Sequence, residues 1–177
     1  MMRRLAIPFA LLLFASAPLA WADGPDPDAI VRSLMPKPKP QLTRSLFSRG
    51  VEVDPDAPPE APPQVELTVN FDFDSARLTN DGAITLSALG KALIDHRLDG
   101  MRFRIVGHTD AVGAPDYNLE LSKLRAATVG AYLLQFYGIE SSRLDLYGAG
   151  ATQLRDPYHP TDGINRRVQV VTLVPSQ

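Results

Sequence analysis

The stretch that most constrains the fold of this chain covers residues 105–125. Phe103 and Ile105 alternate with arginines here, and this alternation predicts a strand that ends at Gly107. The glycine and proline residues that follow within a few positions predict a turn. Asp110 lies in that turn, so the sequence places a carboxylate directly after the end of a strand.

A helix follows the turn, and one of its faces changes character along its length. Asp116 or Asn118 can cap its first turn, and Gly138 is placed to end it. At roughly 100° per residue, one helix face collects Asn118, Ser122, Arg125, Val129 and Phe136. The apolar end of this face should be buried in a core, so its polar beginning should border a cleft. We therefore expect Asp110 and Arg125 on opposite walls of one site.

Residues 1–22 have the three regions of a secretory signal peptide. Arginines precede an apolar run over residues 5–14, and the segment ends with Ala20-Trp21-Ala22, after which we expect cleavage. An uncleaved membrane anchor is the alternative, but a span needs about 20 apolar residues and this run is much shorter. The mature chain is therefore expected to have no transmembrane span, and no cysteine is present near the cleavage point for lipid attachment.

Composition excludes several functions. A net charge of −2 argues against nucleic acid as a partner, because phosphate contacts need a strongly basic face. The chain has no cysteine, which removes disulfides, thiol catalysis and cysteine-bound metal. A length of 177 residues allows one domain of ordinary size and a tail.

Residues 23–64 are predicted to be a linker, because they hold ten of the 16 prolines of the chain. Two islands, residues 30–35 and 42–53, each contain the tripeptide Arg-Ser-Leu. Two interpretations remain open for residues 30–53. They are either a docking segment for an envelope protein partner, or else a solvated linker or a strap on the domain surface. The composition favours the second interpretation.

The rest of the chain alternates between strand and helix patterns. Alternating residues predict a first strand over residues 65–73, with Phe73 on its buried face. Thr79 precedes a helical pattern, residues 143–147 alternate again, and residues 168–174 are apolar on both faces. The last strand should therefore lie inside the sheet. The order strand, helix, strand, helix, strand, loop, strand predicts an α+β fold, a two-layer sandwich with helices on one face of a mixed four-stranded sheet.

Five sequence motifs resemble one family of known domains. In chain order they are Phe71-Asp72-Phe73-Asp74-Ser75-Ala76, Gly107-His108-Thr109-Asp110 with Gly113, Asn118-Leu119-Glu120-Leu121-Ser122-Lys123-Leu124-Arg125-Ala126, Gly148-Ala149-Gly150 and Asn165-Arg166-Arg167-Val168. With these motifs the domain, residues 65–177, closely resembles the OmpA-like C-terminal peptidoglycan-binding domain family. Outer-membrane protein A and the peptidoglycan-associated lipoprotein are typical proteins that carry a domain of this family. The first 64 residues of the chain lie outside the resemblance.

The resemblance implies non-covalent binding of peptidoglycan through the diaminopimelate of its stem peptide, without cofactor or catalysis. In the family, the Asp of the Gly-His-Thr-Asp turn and the Arg of the next helix hold the diaminopimelate; here they are Asp110 and Arg125. Diaminopimelate carries an ammonium and a carboxylate on one carbon, so a carboxylate and a forked guanidinium at a fixed separation suit it. The resemblance also implies a periplasmic protein that anchors or tethers at the cell wall or the outer membrane. The other expected site residues are Asn118, Thr109, Arg166, Phe71 and Asp72.

Several of these residues have a purely structural alternative. Asp110 and Arg125 could form a structural ion pair, although an exposed pair adds only about 0 to 1 kcal/mol of stability. His108 is interpreted as a hydrogen-bonded residue at a strand end, and Asp72 as an outward position of a strand. Three further residues could either contact the ligand or fix the entry into the last strand: Asn165, Arg166 and Arg167.

A zinc-dependent peptidoglycan hydrolase is the rival interpretation. The available metal ligands are Asp110 and three scattered histidines, His96, His108 and His159. Catalytic zinc needs three protein ligands around an open position. The sequence has no His-Glu-x-x-His helix motif and no Gly-x-Ser-x-Gly elbow. We therefore expect a binding protein that holds no metal.

Overall fold

The computed structural model describes residues 24–37 and 61–173. The predicted signal peptide, residues 1–22, and the second island, residues 42–53, lie outside the described residues. The regular elements from the first strand onwards follow the predicted order. They are α1 (Pro27–Leu34), β1 (Gln64–Leu67), α2 (Asn80–Leu93), β2 (Arg102–His108), α3 (Pro115–Tyr137), β3 (Leu144–Gly150) and β4 (Val168–Leu173).

The four strands form one mixed sheet in the order β1-β4-β2-β3. β4 is antiparallel to both of its neighbours, and β2 runs parallel to β3. One hydrophobic core joins the helices to a single face of the sheet, with Leu86 and Leu89 from α2, Leu133 from α3, Phe103 from β2 and Val170 from β4. This arrangement confirms the predicted α+β sandwich of two layers.

β4 is an internal strand, as predicted, but not for the predicted reason. Val168 and Val170 are buried under the helices, whereas Val171 and Leu173 on the opposite face are only half-buried. In the part of the chain that the structure describes, no helix covers that opposite face, which borders an open groove of about 400 Å³. The prediction that both faces of β4 are covered is therefore wrong. Apolar side chains on the outer face of an antiparallel pair are tolerated without full burial.

The first strand is shorter than predicted. β1 ends at Leu67, and Phe71 pairs again only through an isolated antiparallel bridge. Phe73 is 99% exposed, so its predicted place on the buried face is wrong. The chain leaves the sheet because it turns back on itself here. The backbone N–H of Asp72 donates to the carbonyl of Arg77 at 2.9 Å and closes this turn.

Residues 27–34, predicted as linker, form helix α1 instead. The carboxylate of Asp26 accepts hydrogen bonds from two backbone N–H groups of the first turn, and Pro27 takes the first helical position. Burial of an apolar face offsets the entropy lost when such a segment is ordered. The segment is therefore not solvated linker, and three of its apolar side chains belong to the domain core, as the strap interpretation requires. These side chains, each at most 2% exposed, are Ile30, Val31 and Leu34.

The cap residue of helix α3 lies two residues before Asp116 and four residues before Asn118, the two predicted caps. Its first residue is Pro115 and Ala114 is the cap residue, so neither Asp116 nor Asn118 caps it. The fixed φ of proline suits the first helical position, which explains the start. The helix ends at Gly138, which has φ 62, as predicted.

The predicted buried face of α3 is confirmed except at its last member. Phe136 is 63% exposed, because Leu133 and Tyr137 occupy the core-facing positions near the helix end. The other four predicted residues are buried: Asn118, Ser122, Arg125 and Val129.

The end of β2 lies very close to α3, and Gly107 allows this approach. A Cβ atom at position 107 would lie 2.3 Å from the backbone carbonyl oxygen of Ser122. We predict that Gly107→Ala lowers the free energy of unfolding by about 2 kcal/mol, because β2 and α3 must move apart. Urea denaturation measures this change. An unchanged midpoint would contradict the close packing that brings the turn after β2 next to α3.

Candidate functional site

A cleft of about 800 Å³ opens where β2 ends and α3 begins. Its walls come from the loop after β1, the turn after β2, the first turns of α3 and the loop that leads into β4. The structure thus brings residues from four separate segments to one cavity. All seven residues predicted for the site line it: Phe71, Asp72, Thr109, Asp110, Asn118, Arg125 and Arg166.

Asp110 lies just past the end of β2 and is only 8% exposed. Its Oδ1 accepts a hydrogen bond from the backbone N–H of Val112 at 3.1 Å, which holds the turn. Its Oδ2 pairs with Nη1 of Arg166 at 2.6 Å. The structural alternative, an ion pair between Asp110 and Arg125, is therefore wrong. Arg166 comes from a distant part of the chain and is the residue that pairs with this carboxylate.

Arg125 reaches the same cleft from α3. Its Nε donates to the carbonyl of Ser75 at 3.0 Å, and its guanidinium carbon lies 5.1 Å from the centre of the Phe71 ring. Its two terminal nitrogens make no hydrogen bond to any residue in 24–37 or 61–173. Both the bond to Ser75 and the ring of Phe71 fix the side chain while leaving these nitrogens available to a ligand.

The electrostatics of Arg125 favour an anion. The side chain is 8% exposed, and no carboxylate in the described residues forms an ion pair with it. Burial lowers the pKa of Arg125, the nearby charge of Arg166 lowers it further, and Asp110 opposes both effects. An arginine nevertheless remains protonated at neutral pH. A buried cation without a paired anion is unfavourable, and a ligand carboxylate would relieve this.

Two neighbouring residues support the turn that carries Asp110. The side-chain amide of Asn118 donates to the carbonyl of Val112 at 2.9 Å and to the carbonyl of Asp110 at 3.3 Å. The backbone N–H of Thr109 donates to the carbonyl of Gly150 at 3.0 Å. The hydroxyl of Thr109 is buried and has no hydrogen-bond partner in the described residues. Asn118 is therefore a positioning residue, whereas Thr109 still has a donor and an acceptor to offer.

The remaining predicted residues divide between the cleft and the scaffold. The carboxylate of Asp72 pairs with Arg77 at 2.5 Å, within the loop that forms one wall of the cleft. Arg166 contacts the cleft, but its neighbour Arg167 pairs with Glu66 at 3.1 Å and so ties the start of β4 to β1. Asn165 is fully buried, and its amide donates to the carbonyl of His159 at 2.9 Å. Of the three residues left open by the sequence, only Arg166 lies at the site.

Three exposed apolar residues that line the cleft were missed by the sequence prediction. Phe73 was expected in the core, and Val112 and Tyr117 were not considered. A pattern could have suggested Val112, because an apolar residue in a glycine-rich turn cannot be a regular core position. No local pattern distinguishes Tyr117 from other exposed residues of a first helical turn.

His108 is buried on the strand, as the interpretation of a hydrogen-bonded strand-end residue requires. It is 1% exposed, and its Nε2 lies 3.3 Å from Oε1 of Gln169. Burial, and then the charge of Arg167, lower the pKa of His108 to about 4. Within 24–37 and 61–173, no three histidine, aspartate or glutamate side chains are grouped so that they could hold a metal.

We predict that His108 makes the fold sensitive to acid. Its pKa is about 4 in the folded chain and 6.5 ordinarily, so between these pH values the unfolded chain binds a proton that the folded chain does not. The free energy of unfolding should therefore decrease as the pH falls from about 7 to about 4, by on the order of 2 to 3 kcal/mol from this residue. Urea denaturation at several pH values measures the slope.

The variant His108→Gln should reduce this slope, because glutamine does not titrate. His96→Gln is the matched control, since the side chain of His96 is 86% exposed. An equal slope in the wild-type and His108→Gln chains would contradict the prediction.

Known proteins match both the sequence and the fold. The OmpA family model matches residues 70–167. Outer membrane porin F of Pseudomonas aeruginosa is 32% identical over 108 residues, which are 60% of this chain and 30% of the porin. The peptidoglycan-associated lipoprotein of the same organism is 32% identical over 98 residues, which are 55% of this chain and 56% of the lipoprotein. The chain thus spans less than two thirds of the length of either relative.

Solved structures agree on the fold. A MotB-like protein from Desulfovibrio vulgaris superposes with a TM-score of 0.53 at 26% identity, over 64% of this chain and 74% of that one. The OmpA-like domain of FopA1 from Francisella tularensis gives a TM-score of 0.52 at 23% identity, over 62% of this chain and 71% of that one. None of the described helices has the length and hydropathy needed to cross a membrane. Because the matching family model covers more than half of the 177 residues, including the turn and the helix that line the cleft, this chain belongs to the OmpA family.

Proposed function

We propose that this chain binds peptidoglycan non-covalently through the diaminopimelate of the stem peptide. The observation that carries the proposal is the cleft itself, in which the carboxylate of Asp110 and the available nitrogens of Arg125 lie together. Membership of the OmpA family supports it, as does the similarity to a protein named peptidoglycan-associated lipoprotein. Its role would be to anchor or tether at the cell wall.

The two charged groups suit the free end of diaminopimelate, which is a zwitterion. The carboxylate of Asp110 would accept a hydrogen bond from the ligand ammonium, and the terminal nitrogens of Arg125 would fork onto the ligand carboxylate. Asp110 already accepts one bond from Arg166 and one from a backbone N–H. A carboxylate has about four lone-pair sites, so the ammonium can be added without breaking either bond.

Neighbouring groups complete the proposed site. Arg166 is 53% exposed at its side chain and lies beside Asp110, where it would contribute a second positive charge near the ligand carboxylate. The hydroxyl of Thr109 has no partner in the described residues but is buried, so its side chain would have to rotate to donate to that carboxylate. Phe71 and Asn118 would act through other residues and not on the ligand itself. Phe71 packs against the guanidinium of Arg125, and Asn118 holds the turn that carries Asp110.

The proposal is for binding without chemistry on the polymer. A zinc-dependent hydrolase needs three ligands around one metal ion, whereas the carboxylate of Asp110 pairs with the guanidinium of Arg166 and lies in the same cleft as Arg125, which disfavours a cation there. Release of soluble fragments from peptidoglycan incubated with the purified protein would favour the hydrolase instead. The envelope is the proposed location, with export by the predicted signal peptide to the periplasm.

The variant Arg125→Lys tests the forked contact. Lysine keeps the positive charge but presents a point charge, so it cannot form two parallel hydrogen bonds with a carboxylate. We predict about tenfold weaker binding to purified peptidoglycan sacculi, measured by co-sedimentation at several sacculus concentrations.

Arg102→Lys is the matched control, because Arg102 begins β2 at the opposite end from the cleft. It should bind as the wild type does. If Arg125→Lys sediments with sacculi as completely as wild type and control, Arg125 does not bind a carboxylate in this way.

A further inference from the structure

Around the charged residues of the cleft lies a rim of apolar side chains exposed to solvent. Phe73 is 99% exposed, Val112 60% and Tyr117 48%, and all three line the same cleft as Asp110 and Arg125. They come from three different segments, the loop after β1, the turn after β2 and the first turn of α3. The three form an apolar rim above a charged floor. Single exposed apolar residues are common on protein surfaces, but three that converge on one cleft indicate an interaction site.

The loop that carries Phe73 is held in place by contacts with its surroundings. Asp74, the next residue, has φ 50, a left-handed conformation that is uncommon outside glycine. The hydroxyl of Tyr117 donates to the carboxylate of Asp74 at 2.5 Å, and Nε of Arg125 donates to the carbonyl of Ser75 at 3.0 Å. Such backbone outliers persist where the surrounding structure fixes them, and they concentrate at ligand-binding sites.

The phenyl ring of Phe73 is therefore held in water by a fixed loop and is not buried by it. Tyr117 connects the loop to the rim, since its ring lines the cleft and its hydroxyl holds Asp74. A loop that is already ordered loses little backbone entropy when a ligand covers it, so an apolar group that it carries contributes more to affinity than one on a disordered loop.

We propose that this apolar rim binds the stem-peptide residues that are bonded to diaminopimelate. The cleft would then recognise the peptide as well as the diaminopimelate. The inference rests on the proposed function. The zwitterionic end of diaminopimelate is separated from its peptide bonds by a short methylene chain. With that end on the floor at Asp110 and Arg125, the methylenes and the neighbouring residues must leave the cleft past the rim. The alanine next to diaminopimelate would place its methyl group there.

The position of the rim favours a peptide over a lipid surface or a second copy of the chain. A zwitterionic lipid headgroup could meet the charged floor, but the atoms that adjoin it are polar glycerol esters and not apolar groups. A folded second copy of the chain offers no side chain with an ammonium and a carboxylate on one carbon. A stem peptide matches both parts, because its zwitterionic end is charged and its adjoining atoms are apolar. Affinity would then be divided, with the floor recognising diaminopimelate and the rim recognising its attachment to a peptide.

The test compares two soluble probes, free meso-diaminopimelic acid and the tetrapeptide L-Ala-γ-D-Glu-meso-diaminopimelyl-D-Ala. Binding of each to the full chain is measured by NMR titration for the wild type and for Phe73→Ser. We expect Phe73→Ser to bind free diaminopimelic acid within about twofold of wild type, and the tetrapeptide about tenfold more weakly. Val112→Ser should give a change in the same direction.

Tyr158→Ser is the matched control, because Tyr158 is an aromatic residue that is 91% exposed and does not line the cleft. It should bind both probes as wild type does. Equal weakening of both probes by Phe73→Ser, or no weakening of the tetrapeptide, would overturn the role of the rim while the proposed function stands. If wild type binds neither probe, the proposed function fails and the rim inference fails with it.

Discussion

An Asp110→Asn chain is expected to bind peptidoglycan sacculi about a hundredfold more weakly than wild type. Asparagine has the same shape, and its carbonyl oxygen can still accept the hydrogen bond from the backbone N–H of Val112, so the turn should persist. What is lost is the negative charge that would meet the ligand ammonium. The same change removes the ion pair with Arg166, so that Arg125 and Arg166 keep their charges beside an uncharged amide. Co-sedimentation over a range of sacculus concentrations measures the loss.

Asp116→Asn is the matched control for Asp110→Asn. Asp116 lies in the first turn of α3, is exposed and does not line the cleft, so this variant changes the net charge equally without touching the site. It should bind as wild type does. A similar loss in both variants would mean that overall charge, and not a contact at Asp110, controls binding.

Leu34→Ala is expected to lower the free energy of unfolding by about 3 kcal/mol, the largest stability effect that we predict. Leu34 is 0% exposed and is part of the core cluster that also contains Leu86 and Val168. Its backbone carbonyl also accepts a hydrogen bond from the Thr172 hydroxyl on β4 at 2.7 Å. Truncation of the side chain leaves a cavity between α1 and the sheet, and urea denaturation measures the cost.

Met35→Ala is the control for Leu34→Ala, since Met35 is the next residue and is 37% exposed. The urea denaturation midpoint of Met35→Ala should differ little from that of the wild type. A chain that begins at Ala61 lacks all of α1 and should melt at a clearly lower temperature than the mature chain. If that shorter chain melts at the same temperature, α1 does not belong to the domain core.

The site and the central part of the fold could be predicted because their determinants are local. The alternation around Phe103 and Ile105 identifies β2, and the spacing from Asn118 to Arg125 puts both residues on one helix face. The order of the elements then requires the turn after β2 to meet the start of α3. This adjacency is why Asp110 and Arg125 were expected in one cleft without any knowledge of their contacts.

Contacts between distant residues could not be predicted in the same way. Asp110 and Arg166 are 56 positions apart, and no periodicity relates them. Phe73 continues an alternating pattern, but the bridge at Phe71 and the left-handed Asp74 take it out of the sheet. A prediction from sequence patterns assumes that a strand continues as long as apolar and polar residues alternate. Here a turn ends the strand before the alternation ends.

Helix α1 was not predicted because the many prolines around it outweighed its own helix signals. Asp26 followed by Pro27 is a recognisable helix start, yet the surrounding prolines favour an extended linker. A helix of 8 residues is also too short to be stable alone, so its existence depends on burial against the domain. Tertiary packing of Ile30 and Leu34 therefore decided its structure.

The most direct measurement compares two stem tetrapeptides that differ by one carboxylate, one with meso-diaminopimelate and one with lysine in its place. Isothermal titration of the wild-type chain with each peptide isolates the contact proposed for Arg125, because the ammonium that would meet Asp110 is common to both. We expect the lysine peptide to bind at least about tenfold more weakly, and Arg125→Lys to narrow that difference. Equal affinities of the wild-type chain for the two peptides would contradict recognition of diaminopimelate by this site.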